Sequence, residues 1–338
     1  MSIRTKNIKS FFKNKTILIT GGTGSFGKQL VSYLLKNKFP LLKIIVFSRD
    51  EFKQFELSKI FPEEKYPCMR YFIGDIRDRD RLMLALQGVD YVIHAAALKQ
   101  VPVAEYNPFE AIKTNIIGSQ NLIECCLNNT VKKVIALSTD KAAAPLNLYG
   151  ATKLCSEKLF IAANNIIGKK KISFSVVRYG NVLGSRGSVI PEFFKQKQRG
   201  TLFITDKEMT RFSISLEESV DFVILALVSS VGGEIFVPKI PSFRIIDLAQ
   251  VISSKSKIKF TGIRAGEKIY EELITIPESL NTFESKNYYL ILPFLHKKFS
   301  FLIRSLKKIT KPFSYNSSNC FILKKEQIKS LLVKNKFI

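Results

Sequence analysis

Short, almost wholly apolar runs alternate with segments of helical periodicity through the first half of the chain, and this alternation constrains the fold more than any other feature. The runs are Thr16-Ile17-Leu18-Ile19, Ile44-Ile45-Val46-Phe47, Tyr71-Phe72-Ile73, Tyr91-Val92-Ile93, Val134-Ile135-Ala136-Leu137 and Phe174-Ser175-Val176-Val177. Between the first two, Leu30, Val31 and Leu34 fall on one helical face. A strand that is apolar on both sides must be covered on both sides, and strands separated by helices run parallel. The pattern predicts a doubly wound α/β fold with a parallel sheet. After Gly180 the rhythm loosens, and turn residues gather at Gly184-Ser185-Arg186-Gly187-Ser188, Val231-Gly232-Gly233 and Pro238 to Pro241. The expected division is a first domain over 13–180 and a smaller mixed α/β lobe over 181–338, with elements free to return to the main sheet. Gln327, Ile328, Leu331 and Leu332 suggest a last helix.

Composition narrows the class. The 338 residues are 46% hydrophobic and 24% charged, which excludes disorder, collagen and a disulfide miniprotein. Lys+Arg 53 against Asp+Glu 28 leaves a net charge of +25, which attracts polyanions of every kind. The lysines are dispersed, with short runs such as Lys169-Lys170-Lys171 and Lys307-Lys308, so a solvated surface is the preferred reading, also for the basic stretch from Lys297 to Lys311. His94 and His296 lie far apart, and Cys68, Cys125, Cys126, Cys155 and Cys320 contain no Cys-x-x-Cys, so no metal site is expected. Scattered thiols suit a reducing compartment. With no apolar run of signal-peptide or membrane-helix length, the expectation is a cytoplasmic protein without membrane insertion.

Thr20-Gly21-Gly22-Thr23-Gly24-Ser25-Phe26-Gly27 joins the first strand to the first helix. In that place Gly21 permits a tight turn, Gly24 lets backbone approach a pyrophosphate and Gly27 lets the helix pack closely. The helix N-terminus adds free amide donors and a favourable field for phosphates. Gly21, Thr23, Gly24, Ser25, Phe26 and Gly27 are therefore candidate dinucleotide contacts in a Rossmann-type domain. The second strand ends at Ser48-Arg49-Asp50, with Lys53 one helical turn on. An acid here favours NAD and a base accommodates the 2′-phosphate of NADP. Arg49 and Lys53 favour NADP, although Asp50 has a second reading as a cap of the following helix.

Tyr149-Gly150-Ala151-Thr152-Lys153 sets a phenol and an ammonium four residues apart on one helical face. A lysine held there is expected to lower the phenol's pKa, so that the tyrosinate takes a hydroxyl proton as hydride leaves the same carbon. Together with the glycine turn, this resembles the extended short-chain dehydrogenase/reductase superfamily. The resemblance implies an adenine contact at Asp75-Ile76, room for the cofactor at Ala95-Ala96-Ala97, and a helix asparagine at Asn115. His94 reads as a packed strand residue.

The most informative tetrad is Ser138-Thr139-Asp140-Lys141, an acid and a base at the carboxyl end of a central strand. Followed by Asn147 to Lys153, it resembles the inverting UDP-N-acetylglucosamine 4,6-dehydratases, which begin pseudaminic acid synthesis. Ser48-Arg49-Asp50-Glu51, His94 to Pro102, Val177 to Val182, Gly184 to Ser188, Met209-Thr210-Arg211-Phe212 and Gly262 to Lys268 extend the likeness over nearly the whole chain. The dTDP-glucose dehydratases carry Asp-Glu in place of Asp-Lys. Membrane-bound relatives that retain C5 share Asp-Lys but commonly have Met in place of the tyrosine, so Tyr149 favours the inverting group.

The resemblance implies that Tyr149, helped by Lys153, takes the C4 hydroxyl proton while hydride passes to NADP, with Thr139 on the C4 oxygen. Lys141, neutral in a desolvated cationic neighbourhood, then removes the C5 proton, and a protonated Asp140 donates to the departing C6 hydroxyl. Lys99, Asn181, Arg211 and Arg264 are expected on the substrate, with Glu267 on the uridine ribose; Arg186 and Lys195 are weaker candidates. The partner is thus a small molecule, UDP-N-acetylglucosamine, and a homo-oligomer is expected by family. Alternatives are a nucleotide-sugar epimerase, a dehydratase with added C3 epimerisation, or a nucleic-acid-binding protein on a dinucleotide fold. The last lacks basic motifs interleaved with aromatics.

Overall fold

The computed structural model describes residues 5–185, 187–264, 266–293, 303 and 306–338. The six apolar runs form β1 (Thr16–Thr20), β2 (Lys43–Ser48), β3 (Met69–Ile73), β4 (Tyr91–His94), β5 (Lys133–Thr139) and β6 (Ser173–Tyr179). They pair in parallel in the order β3-β2-β1-β4-β5-β6. The order reverses at β1 and β4, and the crevice at the carboxyl ends of those strands is where such sheets take ligands. Every residue of β1 and β6 is buried, because helices cover both faces. On the way lie α2 (Ser25–Lys36), α3 (Glu51–Ile60), α4 (Arg79–Ala85), α5 (Val101–Tyr106), α6 (Pro108–Ile112), α7 (Gly118–Leu127) and α8 (Leu148–Ala163).

The sheet does not stop at residue 180. β9 (Ile235–Pro238) adds in parallel to β6, and β14 (Tyr288–Ile291), β13 (Thr282–Glu284) and β15 (Lys307–Lys308) follow antiparallel, making ten strands among the described residues. α10 (Leu216–Ser229), which opens with a Ser215/Glu218 capping box, covers this part of the sheet. The chain's later half thus supplies both sheet and lobe.

The smaller lobe has its own core. α9 (Val189–Lys197), α11 (Ile245–Ile252), the parallel pair β7 (Thr201–Ile204) and β11 (Lys257–Phe260), and the helix Lys325–Lys334 enclose Leu202, Leu248, Ile328 and Leu332. Two antiparallel pairs, β8 (Thr210–Phe212) with β10 (Ser242–Arg244) and β12 (Glu272–Ile274) with β16 (Tyr315–Asn316), line the boundary between the two cores.

One element has no counterpart in the sequence reading: α1 (Thr5–Phe12). Phe12 is buried and Phe11 stacks on Tyr91 at 4.6 Å. Ile8, Phe11 and Phe12 stand at the i, i+3, i+4 spacing of one helical face, but eight residues are too short to hold a helix alone, and packing of that face on the core completes it. Among the described residues no helix is long and apolar enough to cross a membrane. Arg186, His296 and residues 297–302, 304 and 305 of the basic stretch lie outside the described residues.

Candidate active site

A cleft of about 630 Å³ opens at the carboxyl ends of the central strands. The glycine turn forms its floor. Gly21 has a φ of +67°, and a Cβ there would lie 2.8 Å from the amide of Ala96. Gly27 approaches Gly22 so closely that a Cβ would stand 2.4 Å from its carbonyl oxygen, whereas a Cβ on Gly24 would meet only the Gly21 oxygen at 3.2 Å. The turn is therefore packed from behind and open toward the cleft. Gly24 caps α2 without any side-chain hydrogen bond, so the first amides of a helix of 12 residues face the cleft as donors. The site fits a dinucleotide pyrophosphate.

Thr23, Ser25, Phe26, Ser48, Arg49, Asp50, Lys53, Asp75, Ile76, Ala95, Ala96 and Ala97 line the same cleft. At its adenosine end acids and bases already meet. Asp50 caps α3, accepting from the Lys53 amide at 2.9 Å and pairing with the Lys53 ammonium. Arg49 lies 3.6 Å from Asp75, which Arg77 also holds. Burial works to raise the Asp75 carboxyl, but Arg77 and Arg49 outweigh it and keep it below its ordinary range. Asn115 stands on a helix as expected but does not line the cleft as a cofactor contact. It is buried beneath the cleft in a π-helical turn (Lys113–Ile117), exchanging hydrogen bonds with the Leu98 backbone and donating to Thr152 Oγ1. Its amide fixes the loop before Lys99, and its neighbour Thr114 lines the cleft instead.

Thr139, Lys141, Tyr149 and Lys153 line the inner end, while Asp140 is fully buried behind it. Asn147 caps α8 through the Gly150 amide, and a Cβ on Gly150 would sit 2.2 Å from the Lys141 carbonyl oxygen. That contact is what brings the tyrosine helix against the Asp-Lys turn. Tyr149 differs from its expected state. Burial pushes the phenol up to about 12, against the pull of Lys141 and a hydrogen bond with Thr139. Lys153 is spent elsewhere, donating to the Leu137 carbonyl at 2.8 Å, and burial drops it to about 8 despite Glu157. His94 is buried between Thr20 and Ser119 and pushed down to about 3 by burial and Lys153, hence neutral.

Lys141 corrects a second expectation. Its neighbours are two carboxylates: Nζ stands 3.0 Å from Asp140 Oδ1 and 3.0 Å from Glu271 Oε1, with Asn181 Oδ1 at 3.3 Å. Burial would lower its pKa, but Asp140 and Glu271 hold it well above the ordinary lysine value. Asp140 moves up from its ordinary value through burial, reinforced by Glu271 and opposed by Lys141. Glu271 is held down by Lys141 and Arg211 against its own burial. Between two carboxylates Lys141 is thus held as an ammonium.

Of the substrate-side residues, Lys99 and Asn181 line the cleft. Burial and the charge of Lys141 lower the pKa of Lys99. Arg211 does not present a free fork: it is 7% exposed and donates to the carbonyls of Thr210, Lys268 and Ile269. The reason is that the segment after Gly262 folds over β8, and Arg211 satisfies its carbonyls. Glu267 lies 3.6 Å from Arg211 and Arg264 is exposed, both outside the cleft wall, as is the exposed Lys195. The sequence reading missed Glu271, only three residues beyond the Gly262 to Lys268 motif it quoted, and Gln100 and Ser188, which line the cleft. Glu271 stands beside Glu272 between Ile269-Tyr270 and Leu273-Ile274, an ordinary strand-edge pattern that marks neither acid, so nothing local singled out Glu271.

A doubly wound sheet with a glycine turn, a Tyr-Lys helix and an acid–base pair at the end of β5 defines an extended short-chain dehydrogenase/reductase. Residues 17–293 match the family described as polysaccharide biosynthesis protein, and the chain belongs to that family. It is 56% identical over 317 residues to the UDP-N-acetylglucosamine 4,6-dehydratase (inverting) of Campylobacter jejuni subsp. jejuni serotype O:2, covering 91% of this chain and 94% of the relative. It is 44% identical to a UDP-glucose 4-epimerase of Rickettsia bellii, covering 95% of this chain and 96% of the relative. The X-ray structure of Pen from Bacillus thuringiensis superposes with a TM-score of 0.89 at 40% identity, covering 97% of this chain and 99% of that one.

Proposed function

We propose that the protein is an NADP-dependent, C5-inverting UDP-N-acetylglucosamine 4,6-dehydratase, a hydro-lyase yielding UDP-2-acetamido-2,6-dideoxy-β-L-arabino-hexos-4-ulose. The observation that carries this reading is the buried Asp140 and cleft-lining Lys141 set beside Tyr149 and Lys153. It is supported by the 56% identity to a relative that bears the activity in its name. A 4-epimerase needs only a tyrosine–lysine pair and has no elimination for Asp140 and Lys141 to serve.

Gly21, Thr23, Gly24, Ser25, Phe26 and Gly27 hold the pyrophosphate, with Arg49 and Lys53 toward a 2′-phosphate. When bound, the nicotinamide supplies a hydride acceptor for C4 and a donor for C6. Tyr149 takes the C4 hydroxyl proton as its phenolate, the form that the Lys141 charge and the Thr139 hydrogen bond favour against burial. The resulting ketone acidifies C5. Lys141 takes the C5 proton and Asp140 gives a proton to the C6 oxygen, which departs as water. Reprotonation of C5 from the other face inverts that centre. Lys99 and Asn181 line the sugar side of the cleft; Arg264 and Glu267 are proposed on the nucleotide side. A cytoplasmic homo-oligomer feeding pseudaminic acid synthesis completes the reading.

The test is incubation with UDP-N-acetylglucosamine in heavy water and NMR of the product. A 4-keto-6-deoxy sugar of L-arabino configuration, deuterated at C5, is expected, and Tyr149→Phe should abolish its formation. A C4 epimer with an intact C6 hydroxyl would overturn the reading in favour of an epimerase.

A further inference from the structure

We propose that Glu271 is a positioning residue for the elimination: together with Asp140 it clamps the Lys141 ammonium at rest and sets how readily that lysine becomes the C5 base. The inference rests on the dehydratase reading.

An ammonium has three N–H donors and no lone pair. Lys141 Nζ donates to Asp140 Oδ1 at 3.0 Å and to Asn181 Oδ1 at 3.3 Å, and Glu271 Oε1 stands 3.0 Å away as a second ion-pair partner. Asp140 and Glu271 are 0% and 3% exposed, and each keeps one carboxylate oxygen, Oδ2 and Oε2, without a hydrogen-bond partner among the described residues. The Glu271 backbone is fastened at both ends, and a second cation flanks its carboxylate. Its amide donates to Ser317 Oγ at 2.9 Å, its carbonyl accepts from the Ser317 amide at 2.8 Å, and Arg211 Nε stands 3.7 Å from its carboxylate. The charged and titratable groups facing the pair are Asp140 from the turn after β5, Tyr149 from α8, Lys99 from the loop after β4, Arg211 from β8 and Lys268 from the segment before β12.

The clamp reconciles a protonated lysine with a role as base. One proton moving from Lys141 Nζ to Asp140 Oδ1, across their 3.0 Å contact, turns the ion pair into a neutral amine and a carboxylic acid without any exchange with solvent. Nζ then forms its bond to the C5 proton, and the C5–H electron pair becomes the second bond of C5=C6. The C6–O bond breaks, and its oxygen takes the Asp140 proton and leaves as water. Lys141 is again an ammonium and Asp140 a carboxylate, so the elimination itself restores the resting pair. Glu271, anionic beside the ammonium, opposes the first transfer and keeps a nucleophilic amine from meeting the C4 ketone prematurely.

The test is the pH dependence of C5 deuterium incorporation with UDP-N-acetylglucosamine. In Glu271→Gln the midpoint of the rising limb should move down by about one unit or more, a tenfold loss of proton affinity, while the midpoint of C4 oxidation, read by transient NADPH absorbance, moves by clearly less, because burial, Lys141, Thr139 and Asp140 all weigh more on Tyr149 than Glu271 does. Glu271→Asp should restore the profile toward wild type. An unmoved midpoint with a uniform loss at every pH would make Glu271 merely structural and overturn the inference alone. No label at C5 in the wild-type protein would overturn the dehydratase reading as well. Should Glu271→Gln fail to fold, competitive acetylation of the wild-type protein, followed by mass spectrometry, decides. Lys141 should titrate above the ordinary lysine value of about 10.4, and a midpoint at or below that value would overturn the clamp.

Discussion

Lys153 Nζ donates to the backbone oxygen of Leu137 at 2.8 Å, fastening the helix that carries Tyr149 to β5 two residues before Thr139. The same burial, at 4% exposure, lowers the ammonium from 10.5 to about 8. The unfolded chain then binds more protons than the native one between those values, so native stability rises with pH across that window. Lys153→Met has no such group. From pH 8 to pH 10.5 the wild-type protein should gain up to about 3 kcal/mol relative to the variant, read as urea midpoints at each pH. Parallel pH profiles would refute the shift.

Arg178 joins parts of the chain far apart in sequence. Its Nη2 lies 2.6 Å from Glu157 Oε2 on α8 and 2.8 Å from Glu278 Oε1 on α12 (Ile276–Ser279), with the guanidinium fully buried. Arg178→Met leaves two enclosed carboxylates without their cation and should cost about 3–5 kcal/mol. Arg77→Met, which breaks part-exposed contacts with Glu110 at 2.6 Å and Asp75 at 2.7 Å, should cost less, about 1 kcal/mol. Denaturant unfolding of both distinguishes burial from mere proximity; similar losses would contradict it.

Gly27→Ala places a methyl against the Gly22 carbonyl at 2.4 Å and pushes α2 off the turn. The protein should lose the dinucleotide released on denaturation and be destabilised by roughly 1–3 kcal/mol. Gly88→Ala, where nothing lies within 4 Å although φ is +70°, should cost about 1–2 kcal/mol and leave cofactor content unchanged. Full cofactor content in Gly27→Ala would remove the glycine turn from the site.

Arg49 reaches the cleft with its side chain 55% exposed and only a 3.6 Å contact to Asp75, so it can turn to a phosphate at small cost. Arg49→Ala should weaken NADP by about 1.5–3 kcal/mol and NAD hardly at all, measured by calorimetry on cofactor-stripped protein. Equal losses for both would end its role as discriminator.

The parallel sheet, the glycine turn and the Tyr149/Lys153 face were legible because each is local: a strand period, a turn needing φ above zero, and one helical spacing of four residues. By itself the sequence determined the six strands of the parallel sheet, the cleft's glycine floor and the chemical types at the end of β5. Only the tertiary structure decided the rest. It carried β9, β13, β14 and β15 back to the main sheet, turned Arg211 inward onto backbone carbonyls, took Asn115 below the cleft, and set Glu271 against Lys141. Those outcomes depend on contacts between segments at least 17 residues apart, and as far apart as Lys141 and Glu271, and the charge of Lys141 depends on the summed field of groups from several such segments. No window of sequence contains that sum, whereas a strand period or a turn is complete within one.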